Sequence, residues 1–227
     1  METKPPLAPL SVQELLNNCH KLAGLSLADL AKQTHSSLPV SPSKGKGWVG
    51  QQVETFLGAT AGSKAEPDFV NLGIELKTLP LNAKSRPQES TYVCHIQLMQ
   101  LNKQRWEDAW VNKKLQHVLW VPYQASKTIP YPNRRIGNAI LWQPSAQQAQ
   151  QLQQDWEEIM EKLCLGEQQE LSAHCGQYLQ VRPKAANSKV LTNAYDDKGD
   201  LCQTLPLGFY LRPDFTRSII EQSYLRA

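Results

Sequence analysis

The chain has 227 residues, 41% of them hydrophobic and 20% charged, with a formal net charge of only +3. That length can bury a sizeable core as one large domain or two closely associated lobes. The near balance of charge excludes a basic tail or a generic nucleic-acid coat, so any such surface must come from local clusters of lysine and arginine.

The first forty residues read as helical and auxiliary. Ser11 with Glu14 three residues on is a capping-box pattern, and Leu15, Cys19, Leu22 and Ala23 continue along one face. A second short helix is expected from Ser26, carrying Leu27, Leu30 and Ala31 inward. Ser41 to Gly47 reads as a flexible link. Its Lys44 and Lys46 are either solvated or held within reach of a phosphate. From Trp48 to Gly58, apolar residues at 49, 53, 56 and 57 follow the spacing of an amphipathic helix ended by glycine. Glu54 adjoins that stripe, where a carboxylate needs a cation or a donor.

The chemistry concentrates in Pro67-Asp68 and, after six intervening residues, Glu75-Leu76-Lys77. If Ile74 to Lys77 is a strand, Glu75 and Lys77 share one face while Ile74 and Leu76 turn into a core. Asp68 then completes a cation site across a tight turn at Asn71-Leu72-Gly73. Oxygen ligands suit a hard cation, and a lysine beside them can orient water and offset phosphate charge. A solvated hairpin face carries similar residues, so the short motif has a bland reading as well.

Thr91 to Gln97 and Val118 to Pro122 read as strands that would extend this hairpin into a sheet. Between them Trp106 to Leu115 is expected to be helical, with Lys113 and Lys114 near its C-terminal end, where lysines also favour the helix dipole. Gln143 to Lys162 reads as a glutamine-rich helix with Leu152, Trp156, Ile159, Met160 and Leu163 along its buried stripe. Its glutamines would form the exposed face. After an alternating Tyr178-Leu179-Gln180-Val181 strand, Arg182 to Lys189 is a second basic cluster. It is either an exposed turn or a segment reading base edges, a task that suits arginine and asparagine.

The five histidines show no metal-ligand spacing, and no phosphate-binding glycine loop is present, so ATP hydrolysis is not expected. The five cysteines are odd in number and widely spaced, no secretory signal is read and no apolar run reaches transmembrane length. These features lead to an expectation of free thiols, no membrane and a cytoplasmic setting.

Lys46-Gly47-Trp48-Val49-Gly50, Leu57-Gly58-Ala59, Pro67-Asp68-Phe69 and Leu72-Gly73-Ile74-Glu75-Leu76-Lys77-Thr78 together resemble the MutH family of mismatch-repair endonucleases, relatives of restriction enzymes such as Sau3AI. Val118 to Pro122, Leu179 to Asn187 and Leu207 to Leu211 extend the resemblance over nearly the whole chain, with no departure at a catalytic position. It implies an α/β, restriction-endonuclease-like fold with a mixed β-sheet flanked by helices. Residues 1–227 would form a single domain, with a catalytic lobe over 1–115 and a recognition lobe over 116–227 about a DNA cleft. Asp68 and Glu75 would hold Mg²⁺, with Mn²⁺ as a substitute, and Lys77 would position water. Glu54, Lys46 and Lys114 would support the site. Arg182, Pro183, Lys184, Tyr210 and Tyr92 would contact DNA, Tyr210 sensing adenine methylation. The implied activity is nicking of the unmethylated strand at hemimethylated GATC in double-stranded DNA, activated by MutL with MutS. Two alternatives stay open at this stage: a GATC-specific enzyme that cuts both strands, and a catalytically silent DNA-binding module.

Overall fold

In chain order the elements are α1 (Val12–Leu22), α2 (Leu27–Gln33), α3 (Trp48–Leu57), β1 (Glu75–Leu81), β2 (Thr91–His95), α4 (Trp110–Leu115), β3 (Val118–Gln124) and β4 (Ile140–Trp142). They are followed by α5 (Ala146–Cys164), β5 (Leu179–Pro183), β6 (Thr192–Tyr195), β7 (Leu201–Thr204), β8 (Leu207–Leu211) and α6 (Pro213–Tyr224). The computed structural model describes residues 7–45, 47–62, 64–167, 171, 175–185, 187 and 189–224. Two compact units result. The first takes the chain up to Gln88 together with His117–Gln143, and the second takes Glu89–Gln116 and the chain from Pro144 to Tyr224. The chain thus crosses between the two units more than once.

The first unit is built on a mixed three-stranded sheet. β1 and β3 run parallel, from Glu75 opposite Val118 to Leu81 opposite Gln124, and β4 is antiparallel to β3. Val118 to Val121 are all buried, the continuous apolar run expected of a central strand covered on both faces. Helices α1, α2 and α3 bring Leu15, Cys19, Leu22, Leu27, Leu30, Val49, Val53 and Leu57 into one cluster with Ile74, Leu76, Leu119 and Val121. Each fully buried leucine there stabilises the fold by roughly 1.5–3 kcal/mol. The Ser11 hydroxyl accepts from the Glu14 N–H, but Glu14 reaches back to the Leu10 N–H, so the expected box is only half reciprocal.

The second unit carries an antiparallel sheet in the order β2-β8-β5 and a separate β6–β7 hairpin. Strand β2, expected beside the catalytic hairpin, pairs instead with β8, which lies more than a hundred residues later in the chain. Of the two strands expected to extend the sheet of β1, β3 does so. The helix expected over Trp106 to Leu115 is broken at Ala109, whose backbone is extended. The reason is local: the Trp106 carbonyl accepts from the Ala109 N–H and from the Asn112 side chain, which ends one turn before the next begins. Strand β5 is buried over its first three residues rather than alternating.

Helix α5 begins with a complete capping box. Ser145 accepts from the Gln148 N–H, and the Gln148 side chain accepts from the Ser145 N–H. This buries Gln148, and Gln151 donates to the buried Asp155, so the glutamine row is not wholly an exposed face. Asp155 is the strut of the unit. From α5 its carboxylate accepts the N–H groups of Gln177, Tyr178 and Leu179 at 2.8, 2.5 and 2.8 Å, fastening the start of β5. All five cysteines are free, as the sequence predicts. Among the described residues, no helix is long and apolar enough to cross a membrane.

Candidate active site and nucleic-acid interface

The candidate catalytic motif is assembled by one turn and one strand. Phe69 and Ile74 bridge each other, and between them a short 3₁₀ turn over Val70–Leu72 ends at Gly73. Gly73 has φ +64°, a left-handed conformation that a side chain would strain. This tight return places Asp68 beside the start of β1, where its carboxylate accepts the Leu76 N–H at 2.7 Å. One residue to either side of Leu76, Glu75 and Lys77 point to the opposite face from it. The Lys77 ammonium is 2.6 Å from a Glu75 carboxylate oxygen.

Burial gives that pair its character. The Glu75 side chain is 2% exposed and Lys77 16%. A carboxylate taken this far out of water is costly without a counter-charge, and Lys77 supplies it. The Glu75 backbone is pinned as well, its N–H donating to the His117 carbonyl at 2.9 Å. Burial lowers the pKa of the His117 imidazole, which favours its neutral form.

The donor set is oxygen only: two carboxylates converging on the first residues of one strand. Among the described residues no group of three or more His, Cys, Asp or Glu side chains could hold a metal. Two carboxylates without a third fit Mg²⁺, which keeps several waters and takes its remaining ligands from substrate phosphate. Glu54 lies partly buried on α3, which packs against β1. Lys46 is outside the described residues. Lys114 belongs to the second unit, on α4, where its ammonium stands 5.3 Å from the centre of the Trp110 ring.

In the second unit the expected DNA-contacting residues gather on the β2-β8-β5 sheet. Tyr92 on β2, Tyr210 on β8 and Gln180 on β5 occupy one cross-strand row. The two tyrosine rings meet edge to face at 5.3 Å. Gly208 permits this, because a Cβ there would come within 3.0 Å of the Tyr92 ring and 3.4 Å of the Tyr210 ring. The Lys184 ammonium stands 4.3 Å above the Tyr92 ring, a cation–π contact. Arg182 and Pro183 are exposed at the end of β5. Burial pushes the Tyr92 hydroxyl up to about 12, with Cys94 and Tyr210 adding to the effect. It also raises Tyr210, where Glu89 adds to the rise and Arg182 opposes it. Both phenols therefore stay protonated and can donate at neutral pH.

Comparison with known proteins decides the family. The protein-family model described as "DNA mismatch repair enzyme MutH" matches residues 57–155. The "DNA mismatch repair protein MutH" of Shewanella baltica is 49% identical over 218 residues, covering 96% of this chain and 98% of the relative. The chain belongs to the MutH family. Its Pasteurella multocida relative is 49% identical over 96% of this chain and 99% of its own length, and that of Shewanella strain ANA-3 is 47% identical over 97% and 99%. MutH proteins are DNA mismatch repair enzymes with DNA as substrate, and the expected enzyme class, an endodeoxyribonuclease, stands with them.

Sequence reasoning placed the MutH-like motif residues on their elements but missed their support. Ser90 accepts from the Gln180 amide at 2.6 Å and from Arg182 at 3.3 Å. Gln180 is 6% exposed. Neither residue carries a sequence signal, because both sit in short polar-apolar mixtures whose burial is set by strand pairing.

Proposed function

We propose that this MutH-family enzyme is a Mg²⁺-dependent endonuclease that nicks the unmethylated strand of hemimethylated GATC sites. In this reading MutL, recruited through MutS, activates it in the cytoplasm, and Mn²⁺ can replace Mg²⁺. The observation that carries the reading is the buried Glu75–Lys77 pair on β1, with Asp68 fastened to the Leu76 N–H between them. Asp68 and Glu75 would hold the cation. A bound Mg²⁺ supplies electrostatic stabilisation of charge developing on the phosphoryl and leaving oxygens. Lys77, already drawn toward the site by Glu75, orients the attacking water and offsets phosphate charge. Asp68 stays aligned because its backbone hydrogen bond fixes the carboxylate against the strand.

The test uses duplexes labelled separately on each strand, in three methylation states. One-strand scission confined to the unmethylated strand of hemimethylated GATC supports the reading. Equal cutting of both strands of unmethylated DNA, with no effect of MutL, would favour the restriction-type alternative.

Two residues of the β2-β8-β5 sheet give sharper expectations. If Arg182 reads a base edge, Arg182→Ala should reduce discrimination between GATC and near-cognate sites by about 1–3 kcal/mol. Competitive cleavage of paired duplexes measures this, and equal loss on every sequence would make Arg182 a phosphate contact. Tyr210 is half-buried against Tyr92, and a ring so held can sense a methyl group by shape. Tyr210→Ala is expected to slow cleavage of unmethylated and hemimethylated sites while narrowing the preference over fully methylated ones. A wild-type ratio across the three states would place methylation sensing elsewhere.

A further inference from the structure

The Ser90 hydroxyl stands just before β2, between two side chains of β5. It accepts from the Gln180 Nε2 at 2.6 Å and from the Arg182 Nη1 at 3.3 Å. A serine oxygen has two lone pairs, and these two donors occupy both. Gln180 is buried, so its amide needs a partner, and that need fixes the hydroxyl in place. Arg182, by contrast, is exposed, and a free arginine would sample many rotamers that must be lost when it grips a base. The row continues inward, since Gln180 lies directly opposite Tyr210 in the sheet and Tyr210 opposite Tyr92. One buried amide thus ties the arginine's anchor to the tyrosine pair.

We propose that Ser90 is a positioning residue for sequence discrimination: braced by Gln180, its hydroxyl preorganises the Arg182 guanidinium for reading a base edge. The inference rests on Arg182 being a base reader, as proposed above. Bidentate recognition depends on the planar guanidinium arriving in one orientation, so loosening it weakens the cognate contact. Attraction to the phosphate backbone needs no such orientation and is kept.

Ser90→Ala removes the acceptor, and Ser90→Thr retains it. The ratio of kcat/KM for GATC over duplexes changed at one base pair should fall about tenfold in Ser90→Ala and stay within about threefold of wild type in Ser90→Thr. Affinity for a duplex lacking the site should change little in either, and the thermal midpoint should hold in Ser90→Thr but fall by about 2–4 °C in Ser90→Ala, where the buried Gln180 amide loses its partner. Wild-type discrimination in Ser90→Ala, or equal loss on every duplex, overturns the proposal. A second measurement does not depend on cleavage at all. In the DNA-free protein, relaxation of the Arg182 side-chain nitrogen by NMR should report a restricted guanidinium in wild type and Ser90→Thr, and a mobile one in Ser90→Ala. Equal mobility in all three also overturns it. A wild-type enzyme with no GATC preference would instead sink the functional reading, leaving the NMR result to decide whether Ser90 orders Arg182.

Discussion

Asp68→Ala, Glu75→Ala and Lys77→Ala are each expected to lower DNA cleavage by about 10³-fold or more. Each removes a group acting on the reacting phosphate rather than one that grips the duplex. Loss of either carboxylate takes a ligand from the cation and also removes negative charge facing the DNA, so binding should hold or tighten. Lys77→Ala has a second consequence. Glu75 is 2% exposed and would be left without its ammonium, so this variant should also lose stability, whereas Glu75→Ala removes the buried negative charge itself. Single-turnover cleavage paired with a binding assay separates the two effects. Near-normal cleavage by any of the three, with Mg²⁺ present, would overturn the catalytic assignment.

Asp155→Ala should be the most damaging substitution in the second unit, although the residue lies in no expected catalytic or binding motif. Its carboxylate is 2% exposed and accepts three consecutive backbone N–H groups and the Gln151 amide. Each buried donor left without a partner costs about 1–3 kcal/mol, so a total loss of about 3 kcal/mol or more is expected. For a chain of this size that corresponds to a fall of about 10 °C in the unfolding midpoint. Asp155→Asn, which keeps the shape but only one acceptor oxygen, should fall between the variant and wild type. Calorimetry showing a change of less than about 1 kcal/mol for Asp155→Ala would contradict the strut. Because the bonds end where β5 begins, looser packing here should also reach Arg182 and Lys184.

The two cases differ in how far the sequence foretells them. Glu75, Leu76 and Lys77 were readable because a strand's two-residue period sends the first and third to one face, and the buried ion pair is that period realised. The helical start was readable through Ser11 and Ser26, whose hydroxyls cap α1 and α2. Local chemistry decides such caps. Pairing of β2 with β8 is a different matter, since residues so far apart in the chain are joined by tertiary packing that no local pattern encodes. For the same reason Asp155, Gln180 and Ser90 passed unnoticed: each looks like an ordinary polar residue until its partners, distant in sequence, are known. Gln148 and Gln151 were read as surface because glutamines favour it, yet a cap and a carboxylate claim them. The break at Ala109 was hidden too, since it follows from an Asn112 side chain competing for a helix carbonyl.

The central claim is that Asp68, Glu75 and Lys77 form a Mg²⁺-dependent centre that nicks one strand. The most direct measurement is the rate of nicking of the unmethylated strand of a hemimethylated GATC duplex as Mg²⁺ is titrated from zero, with MutL present. The account predicts no cleavage without the cation, saturable nicking of that strand alone as it is added, and full loss on chelation. Strand-selective nicking that persists undiminished without any divalent cation would contradict it.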